Sequence, residues 1–219
     1  MPDPTSPILG ITGPIGSGKT TVAGLFAAHG YLNLEVDHVG HEVLARQDIR
    51  DRVLAAFGPG VGDGLGGINR RELGRLVFAS TADRDRLNAI MHPPMVAEVE
   101  RRVREHRAAT GQGVIINAAL LYAMKLDRLC RWIIYVQAPS EIRLDRIVTT
   151  RGLPVDRART RLAAQDPEPQ GDPRVIFCAN DGSLADLARW VDATQARLLG
   201  IAPEGGPLPP DGHRTERTA

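Results

Sequence analysis

The sequence predicts an α/β fold in which a five-stranded parallel sheet is covered by helices on both faces. Two observations lead to this prediction: five short apolar segments have the length of interior strands, and segments with helical spacing of apolar residues lie between them. Strands that alternate with helices form parallel sheets, because each helix carries the chain back to the same end of the sheet. The five predicted strands are 8–12, 31–37, 114–116, 132–136 and 175–178.

The helices are predicted from apolar residues spaced three and four positions apart and from residues that begin or end a helix. A helix that starts at Ser80 is expected to stop near His92, because Pro93 and Pro94 lack the N–H that a helix interior needs. The segment 58–67 contains six glycines and is predicted to be a turn-rich loop. The other predicted helices are 17–29, 38–44, 48–57, 70–79, 94–109, 140–148 and 184–199.

The composition is typical of one globular domain with or without an inserted lobe. The 219 residues are 42% hydrophobic and 24% charged, and the formal net charge is +1, so no nucleic-acid partner is expected. The longest apolar stretch, 114–124, is too short to cross a bilayer, and residues 1–7 lack the features of a signal peptide, so no membrane partner is expected. Cys130 and Cys178 form neither a metal-ligand spacing nor a disulfide framework, which favours a cytoplasmic location.

A complete G-x-x-x-x-G-K-[ST] motif follows the first predicted strand and opens the first predicted helix. Its glycines allow successive backbone N–H groups to point at phosphate oxygens, and the helix start adds partial positive charge. Lys19 can bind the β- and γ-phosphates of a nucleoside triphosphate, and the hydroxyl of Thr20 can bind Mg²⁺. The predicted nucleotide-binding residues are Gly13, Ile15, Gly16, Ser17, Gly18, Lys19, Thr20 and Thr21.

Asp37 is predicted to end the second strand, at the sheet edge where the terminal phosphate should lie. A carboxylate there can orient an acceptor hydroxyl and take its proton. The alternative is that Asp37 is the N-cap of the next helix. Among proteins with this phosphate loop, the chain is short for a motor and lacks the Asn-Lys-x-Asp sequence of small GTPases, which favours a small-molecule kinase.

Several motifs beyond the phosphate loop resemble those of dephospho-CoA kinases. The run 9–22 is similar to the opening of that family, and the sequence Leu87-Asn88-Ala89-Ile90-Met91-His92-Pro93 is similar to its Leu-Asn-x-Ile-x-His-Pro motif. The resemblance extends over about 8–199. Further counterparts occur in the same order at 35–37, 69–73, 143–146, 161–165 and 180–183.

The resemblance implies a P-loop kinase fold and an ATP-dependent reaction with Mg²⁺. The γ-phosphate of ATP would pass to the ribose 3′-hydroxyl of dephospho-CoA, the last step of coenzyme A synthesis. The implied domain is 6–200, and a monomer or weak oligomer is expected. Its implied parts are a core at 6–37 and 112–200, a helical acceptor lobe at about 38–110 and a lid at about 144–168. Residues 203–219 are rich in Pro, Gly and charge, which predicts a disordered tail.

The resemblance also implies roles for individual residues. Lys19, Asp37 and Arg146 are implied as catalytic residues, and Thr20 is the implied metal ligand. Asp37, His92 and Leu120 are implied to contact the acceptor. The alternative for His92 is a helix-terminating histidine whose ring is satisfied by its surroundings.

The sequence departs from the family pattern at several positions. His41 occupies a position that is usually Arg, and Ala119 and Ala123 replace Pro and Glu after the third strand. The lid has Thr150-Arg151-Gly152 in place of Arg-Asp-Gly, and the segment after Gln165 is acidic where a basic residue is expected. Two alternatives to a dephospho-CoA kinase therefore follow: a catalytically weak nucleotide-binding relative that acts as an interaction or regulatory module, and a kinase for another nucleoside or nucleotide acceptor.

Overall fold

The protein, described by a computed structural model over residues 6–163, 169 and 171–200, has the predicted α/β fold. The strands are β1 (Ile8–Thr12), β2 (Leu32–Glu35), β3 (Val114–Asn117), β4 (Trp132–Gln137) and β5 (Val175–Ala179). The helices are α1 (Lys19–Ala27), α2 (Val36–Leu44), α3 (Gln47–Phe57), α4 (Arg70–Ala79), α5 (Thr81–Thr110), α6 (Ser140–Arg151), α7 (Val155–Ala163) and α8 (Leu184–Leu198). Short 3₁₀ helices lie at Pro59–Val61 and Leu126–Leu129.

The five strands form one sheet in the order β2-β3-β1-β4-β5, so β1 lies at its centre. β1 pairs in parallel with β3 and β4, and β4 pairs in parallel with β5. Neighbouring residues of β3 and β4, such as Ile115 and Ile116 or Ile133 and Ile134, are fully buried. Because neighbouring strand residues point to opposite faces, both faces of the sheet are covered, as predicted.

The chain divides into two compact units, of which the first comprises the residues up to Leu34 and those from His106 onward. Its core joins β1, α1 and α8, and includes Ile11, Phe26 and Cys178. Both cysteines are buried and free, and burial raises the pKa of each thiol to about 12. The cysteines are therefore core residues rather than reactive thiols.

The second unit comprises Glu35–Glu105 and contains helices α2 to α4 and most of α5. Its buried side chains come from every one of these helices and include Val39, Val53, Leu73 and Val99.

Within the described part of the chain, no helix has the length and apolar character needed to cross a membrane.

The predicted helix stop near His92 is wrong, since α5 continues through Pro93 and Pro94. The two prolines remove two adjacent backbone donors, which costs a helix several kcal/mol when nothing compensates. Buried residues before and after the two prolines, including Met91 and Met95, pack into the interior and so stabilise one continuous helix. The predicted start is confirmed: the Oγ of Ser80 accepts a hydrogen bond from the backbone N–H of Asp83 at 3.1 Å.

The predicted position of Asp37 at the end of the second strand is also wrong. β2 ends at Glu35, and Asp37 lies in the first turn of α2 with Glu35 as the N-cap, so the N-cap alternative is wrong as well. The alternating pattern extended the predicted strand because Val36 is apolar and continues the alternation of Leu32 and Leu34. In the structure Val36 is buried as the first residue of α2.

Part of the predicted lid, 164–168, and the predicted tail, 203–219, lie outside the described residues.

Candidate active site

The phosphate loop connects the end of β1 to the start of α1 at the centre of the sheet. Gly13 has a φ of 141°, and a Cβ at this position would lie 2.1 Å from the carbonyl oxygen of Val136 on β4. Gly16 and Gly18 also have positive φ values, 77° and 95°, and Gly18 is the N-cap of α1. The three glycines are required by backbone conformation and by close packing, as the motif predicts.

The side chain of Lys19 reaches back across the phosphate loop to the residues with which the loop begins. Its Nζ donates hydrogen bonds to the carbonyl oxygens of Gly13 at 2.8 Å and Pro14 at 3.1 Å. Thr20 and Thr21 are exposed on the first turn of α1, which carries no acidic residue. The start of this helix therefore presents positive charge and hydroxyl groups to an anionic ligand.

Two residues from outside the loop hold its second half, and we call Arg146 and Asn180 the loop clamp. The side-chain N–H of Asn180 donates to the carbonyl of Ser17 at 2.7 Å, and Asn180 is only 7% exposed. The guanidinium of Arg146 donates to the carbonyl of Asn180 at 3.1 Å and lies 3.4 Å from that of Ser17. The clamp thereby connects the predicted lid region and the end of β5 to the phosphate loop.

Helix α6 packs directly behind the loop. A Cβ on Gly16 would lie 2.8 Å from the carbonyl oxygen of Arg143, so the loop backbone touches the helix backbone. The guanidinium of Arg143 donates to the carbonyl of Ala138 at 3.0 Å, and burial lowers its pKa. A positive charge is therefore held close to the loop at a site partly shielded from water.

The chain after β3 lies beside the end of β1. The N–H of Ala118 donates to Ile11 at 3.0 Å, and the hydroxyl of Thr12 donates to the carbonyl of Ala119 at 3.2 Å. Asn117, at the end of β3, is 8% exposed, whereas Leu120 is 39% exposed. An apolar side chain is thus presented to solvent next to the segment that opens the phosphate loop.

A network of hydrogen bonds and ion pairs also holds the segment that follows β3. The hydroxyl of Tyr122 lies 3.5 Å from a carboxylate oxygen of Asp172, and Arg174 donates to both Asp172 and Asp127. Burial and the neighbouring carboxylates raise the pKa of Tyr122 to about 12. Tyr122 therefore stays protonated and serves as a fixed donor rather than as an acid or base near neutral pH.

The other predicted site residues lie in the second unit. Asp37 is exposed in the first turn of α2, where its carboxylate is accessible to a ligand. His92 is half-buried within α5, and desolvation lowers its pKa, which favours the neutral ring. His41 follows Asp37 by one helical turn, and its Nε2 lies 2.5 Å from Nη2 of Arg70 at the start of α4.

The structure brings together the phosphate loop, Arg146 and the segment that carries Leu120 in the first unit, and it places Asp37 and His92 in the second. Sequence reasoning did not assign a role to Asn180, which it placed only in a turn. The signal was present, since Asn180 begins one of the motifs that resemble the kinase family. The described residues contain no group of three or more His, Cys, Asp or Glu side chains that could hold a metal ion.

A central phosphate loop with a lysine across it, at the carboxyl end of a five-stranded parallel sheet, defines the class of P-loop nucleotide-binding proteins, to which the P-loop kinases belong. The family model described as dephospho-CoA kinase matches residues 7–186. The chain is 37% identical to a dephospho-CoA kinase of Frankia casuarinae over 194 residues, covering 87% of this chain and 83% of that protein. A dephospho-CoA kinase of Arabidopsis thaliana is 33% identical over 182 residues, covering 82% and 78% of the two chains.

Solved structures agree with this relationship. The crystal structure of TT1252 from Thermus thermophilus superposes with a TM-score of 0.72 at 31% identity, covering 88% of this chain and 98% of that chain. A dephospho-CoA kinase from Campylobacter jejuni shares the fold with a TM-score of 0.60 at 19% identity, covering 89% and 98%. The chain belongs to the dephospho-CoA kinase family.

Proposed function

We propose that this protein transfers the γ-phosphate of ATP to the ribose 3′-hydroxyl of dephospho-CoA and so forms coenzyme A. The observation that carries the proposal is the complete phosphate loop, with three glycines at positive φ and Lys19 across its opening, in a chain of this family. The free, buried cysteines agree with a cytoplasmic location for such an enzyme.

ATP would be held mainly by the first unit. The backbone of the loop and the start of α1 supply N–H groups for the phosphates, and Lys19 would exchange its carbonyl partners for phosphate oxygens. Arg146 contributes positive charge beside the loop while its clamp contacts maintain the loop conformation. The predicted lid would exclude water, which would otherwise hydrolyse ATP.

Mg²⁺ fits this donor set. In kinase sites it is bound by one or two protein oxygens together with phosphates and waters, so a dedicated cluster of acidic residues is not required. The hydroxyl of Thr20, exposed at the start of α1, is the proposed ligand, and the oxygen of Asn117 is a candidate for contact through water. When bound, the ion neutralises phosphate charge as the phosphoryl group is transferred.

Three residues are proposed to orient the acceptor, namely Asp37, His92 and Leu120. Asp37 would accept a hydrogen bond from the 3′-hydroxyl and take its proton as the bond to phosphorus forms. His92, with a ring kept neutral by burial, and the exposed Leu120 are the further proposed contacts.

The second candidate is a nucleotide-binding relative that turns over weakly. It is favoured by Ala123, an exposed position without a carboxylate where the family pattern has Glu. The test is to incubate the protein with MgATP and dephospho-CoA and to measure coenzyme A by mass. Formation of coenzyme A supports the proposal; ATP binding without any product would support the second candidate, and ADP without coenzyme A would indicate hydrolysis or another acceptor.

A further inference from the structure

The feature that carries a further inference is the contact between Arg70 and His41. A guanidinium group has only donors and remains protonated, so Nε2 of His41 must be the acceptor at 2.5 Å. In this contact the hydrogen belongs to the guanidinium and the accepting lone pair to Nε2. His41 therefore fixes the direction of Arg70.

The charge of Arg70 is not neutralised within the described residues, where no carboxylate forms an ion pair with it. Glu42, the residue after His41 in α2, is paired elsewhere, because it accepts from Arg102 and lies 3.2 Å from His38. Arg70 is also exposed, so an anion from solvent can reach it. Other arginines of this unit, such as Arg101 and Arg102, are paired with carboxylates.

The position of this pair relates it to the proposed catalytic carboxylate. Asp37 and His41 are four residues apart in α2, and residues with this spacing lie on the same helix face. Arg70 joins that face through its contact with His41. A single exposed surface of the second unit therefore presents a carboxylate for a hydroxyl and a guanidinium for an anion.

We propose that Arg70, directed by His41, binds a phosphate group of the acceptor while Asp37 faces the acceptor hydroxyl. This inference rests on the proposed function and adds a residue that would distinguish acceptors carrying a phosphate group from acceptors without one. A guanidinium suits a phosphate because it can donate two parallel hydrogen bonds, and the bond to His41 leaves its other N–H groups available. His41 is a positioning residue in this proposal, acting only through Arg70.

The test compares steady-state kinetics of the native protein with Arg70→Gln, using Arg71→Gln as a control that removes the same charge from the next residue of α4. Arg70→Gln should raise KM for dephospho-CoA about tenfold to a hundredfold, as expected for loss of a charged hydrogen bond, and should leave KM for ATP within about twofold of native. Arg71→Gln should leave both constants within about twofold of native. Thermal melting confirms that each variant is folded.

Two substitutions at His41 test the positioning role. His41→Gln keeps an acceptor near the same place and should retain nearly native KM for dephospho-CoA, whereas His41→Leu removes the acceptor and should raise it about threefold to tenfold. A purely structural role would instead affect both substrates and the melting temperature in the two variants alike. Unchanged KM for dephospho-CoA in Arg70→Gln, or an equal rise in KM for ATP, would overturn the proposal.

Failure of the inference can be distinguished from failure of the proposed function. If the native protein forms coenzyme A but Arg70→Gln has native KM, only the inference fails. If the native protein forms no coenzyme A, the proposed function fails. Calorimetric titration of the native protein and Arg70→Gln with dephospho-CoA then still decides whether Arg70 binds this ligand, and equal affinities would overturn it.

Discussion

The two units of this protein present their candidate binding groups in different ways. In the first unit the phosphate loop is made of backbone, and its conformation is set by close packing, since a Cβ on Gly13 would come within 2.1 Å of the Val136 carbonyl oxygen. In the second unit the candidate groups are side chains on helices, of which Asp37, His41 and Arg70 are exposed and His92 is half-buried. The proposed ATP-binding groups are thus determined by the fold, and the proposed acceptor-binding groups by particular side chains.

This difference has a consequence for substitutions. A change at the phosphate loop should damage binding of every nucleotide, because the N–H groups that bind phosphate lose their common direction. A change at an exposed side chain of the second unit should affect one substrate and leave the fold intact, because few packing contacts are lost. Substitutions in each unit therefore test whether the two units differ in this way.

The largest effect is expected for Lys19→Ala. The substitution removes the ammonium group that lies across the loop, and we expect turnover to fall by about 10³-fold or more, with weaker ATP binding. Lys125 is the only other lysine in the sequence and provides a matched control. Lys125→Ala should retain native kinetics, so comparable losses in the two variants would contradict a specific role for Lys19. The measurement is coenzyme A formation with parallel ATP titration.

A separate effect is expected for Asp37→Asn. Loss of the proposed proton acceptor should lower kcat by about 10²-fold to 10⁴-fold, while affinity for ATP should stay close to native because the proposed ATP-binding groups lie in the first unit. Asp51→Asn, which changes an exposed carboxylate on α3, is the control and should be nearly silent. Equal losses of ATP affinity in Lys19→Ala and Asp37→Asn would refute the division of roles between the units.

The same contrast explains what could be predicted from the sequence. The strands, the loop and the order of elements follow from local patterns, because a glycine-rich motif between a strand and a helix has one stable conformation. The course of α5 through Pro93 and Pro94 depends on distant packing, so propensity alone gave a helix stop that does not occur. The end of β2 was misplaced because an apolar residue at position 36 fits both an alternating strand and the first turn of a helix.

The site shows the same limit. Lys19 and the loop residues are recognisable from a contiguous motif, and Asp37 from the expected end of a strand. The contacts of Asn180 with Ser17 and of Arg70 with His41 join residues 163 and 29 positions apart. The motif that begins at Asn180 marks that residue, but the pairing of two distant residues has no local signature, so one sequence alone could not identify these contacts.

A smaller effect is expected when the loop clamp is weakened. Asn180→Ala removes the 2.7 Å hydrogen bond to the Ser17 carbonyl and leaves that carbonyl without this donor, so we expect KM for ATP to rise about tenfold. The effect on KM for dephospho-CoA should be within about twofold, since the clamp belongs to the ATP side. Asp181→Asn alters the next, exposed residue and should behave as the native protein. An equal rise in both KM values would contradict the assignment of Asn180 to the loop.

The smallest effect concerns the ion pairs that support α5 in the second unit. Glu98 accepts hydrogen bonds from Arg101 and Arg102 at 2.6 Å, and these hold its pKa at about 2, below its ordinary value of 4.5. A carboxylate with a lowered pKa in the folded state stabilises the protein fully above pH 4.5, and this contribution is lost as the pH falls through about 2.

Glu98→Gln should therefore lower the free energy of unfolding by about 1 kcal/mol near neutral pH, a modest value because Arg101 is largely exposed. The difference between native protein and variant should shrink as the pH is lowered from 4.5 towards 2, because the native side chain becomes neutral as well. Urea unfolding at pH 7 and at pH 3 measures both values. A difference that stays constant between the two pH values would mean that Glu98 stabilises the second unit through packing rather than through its charge.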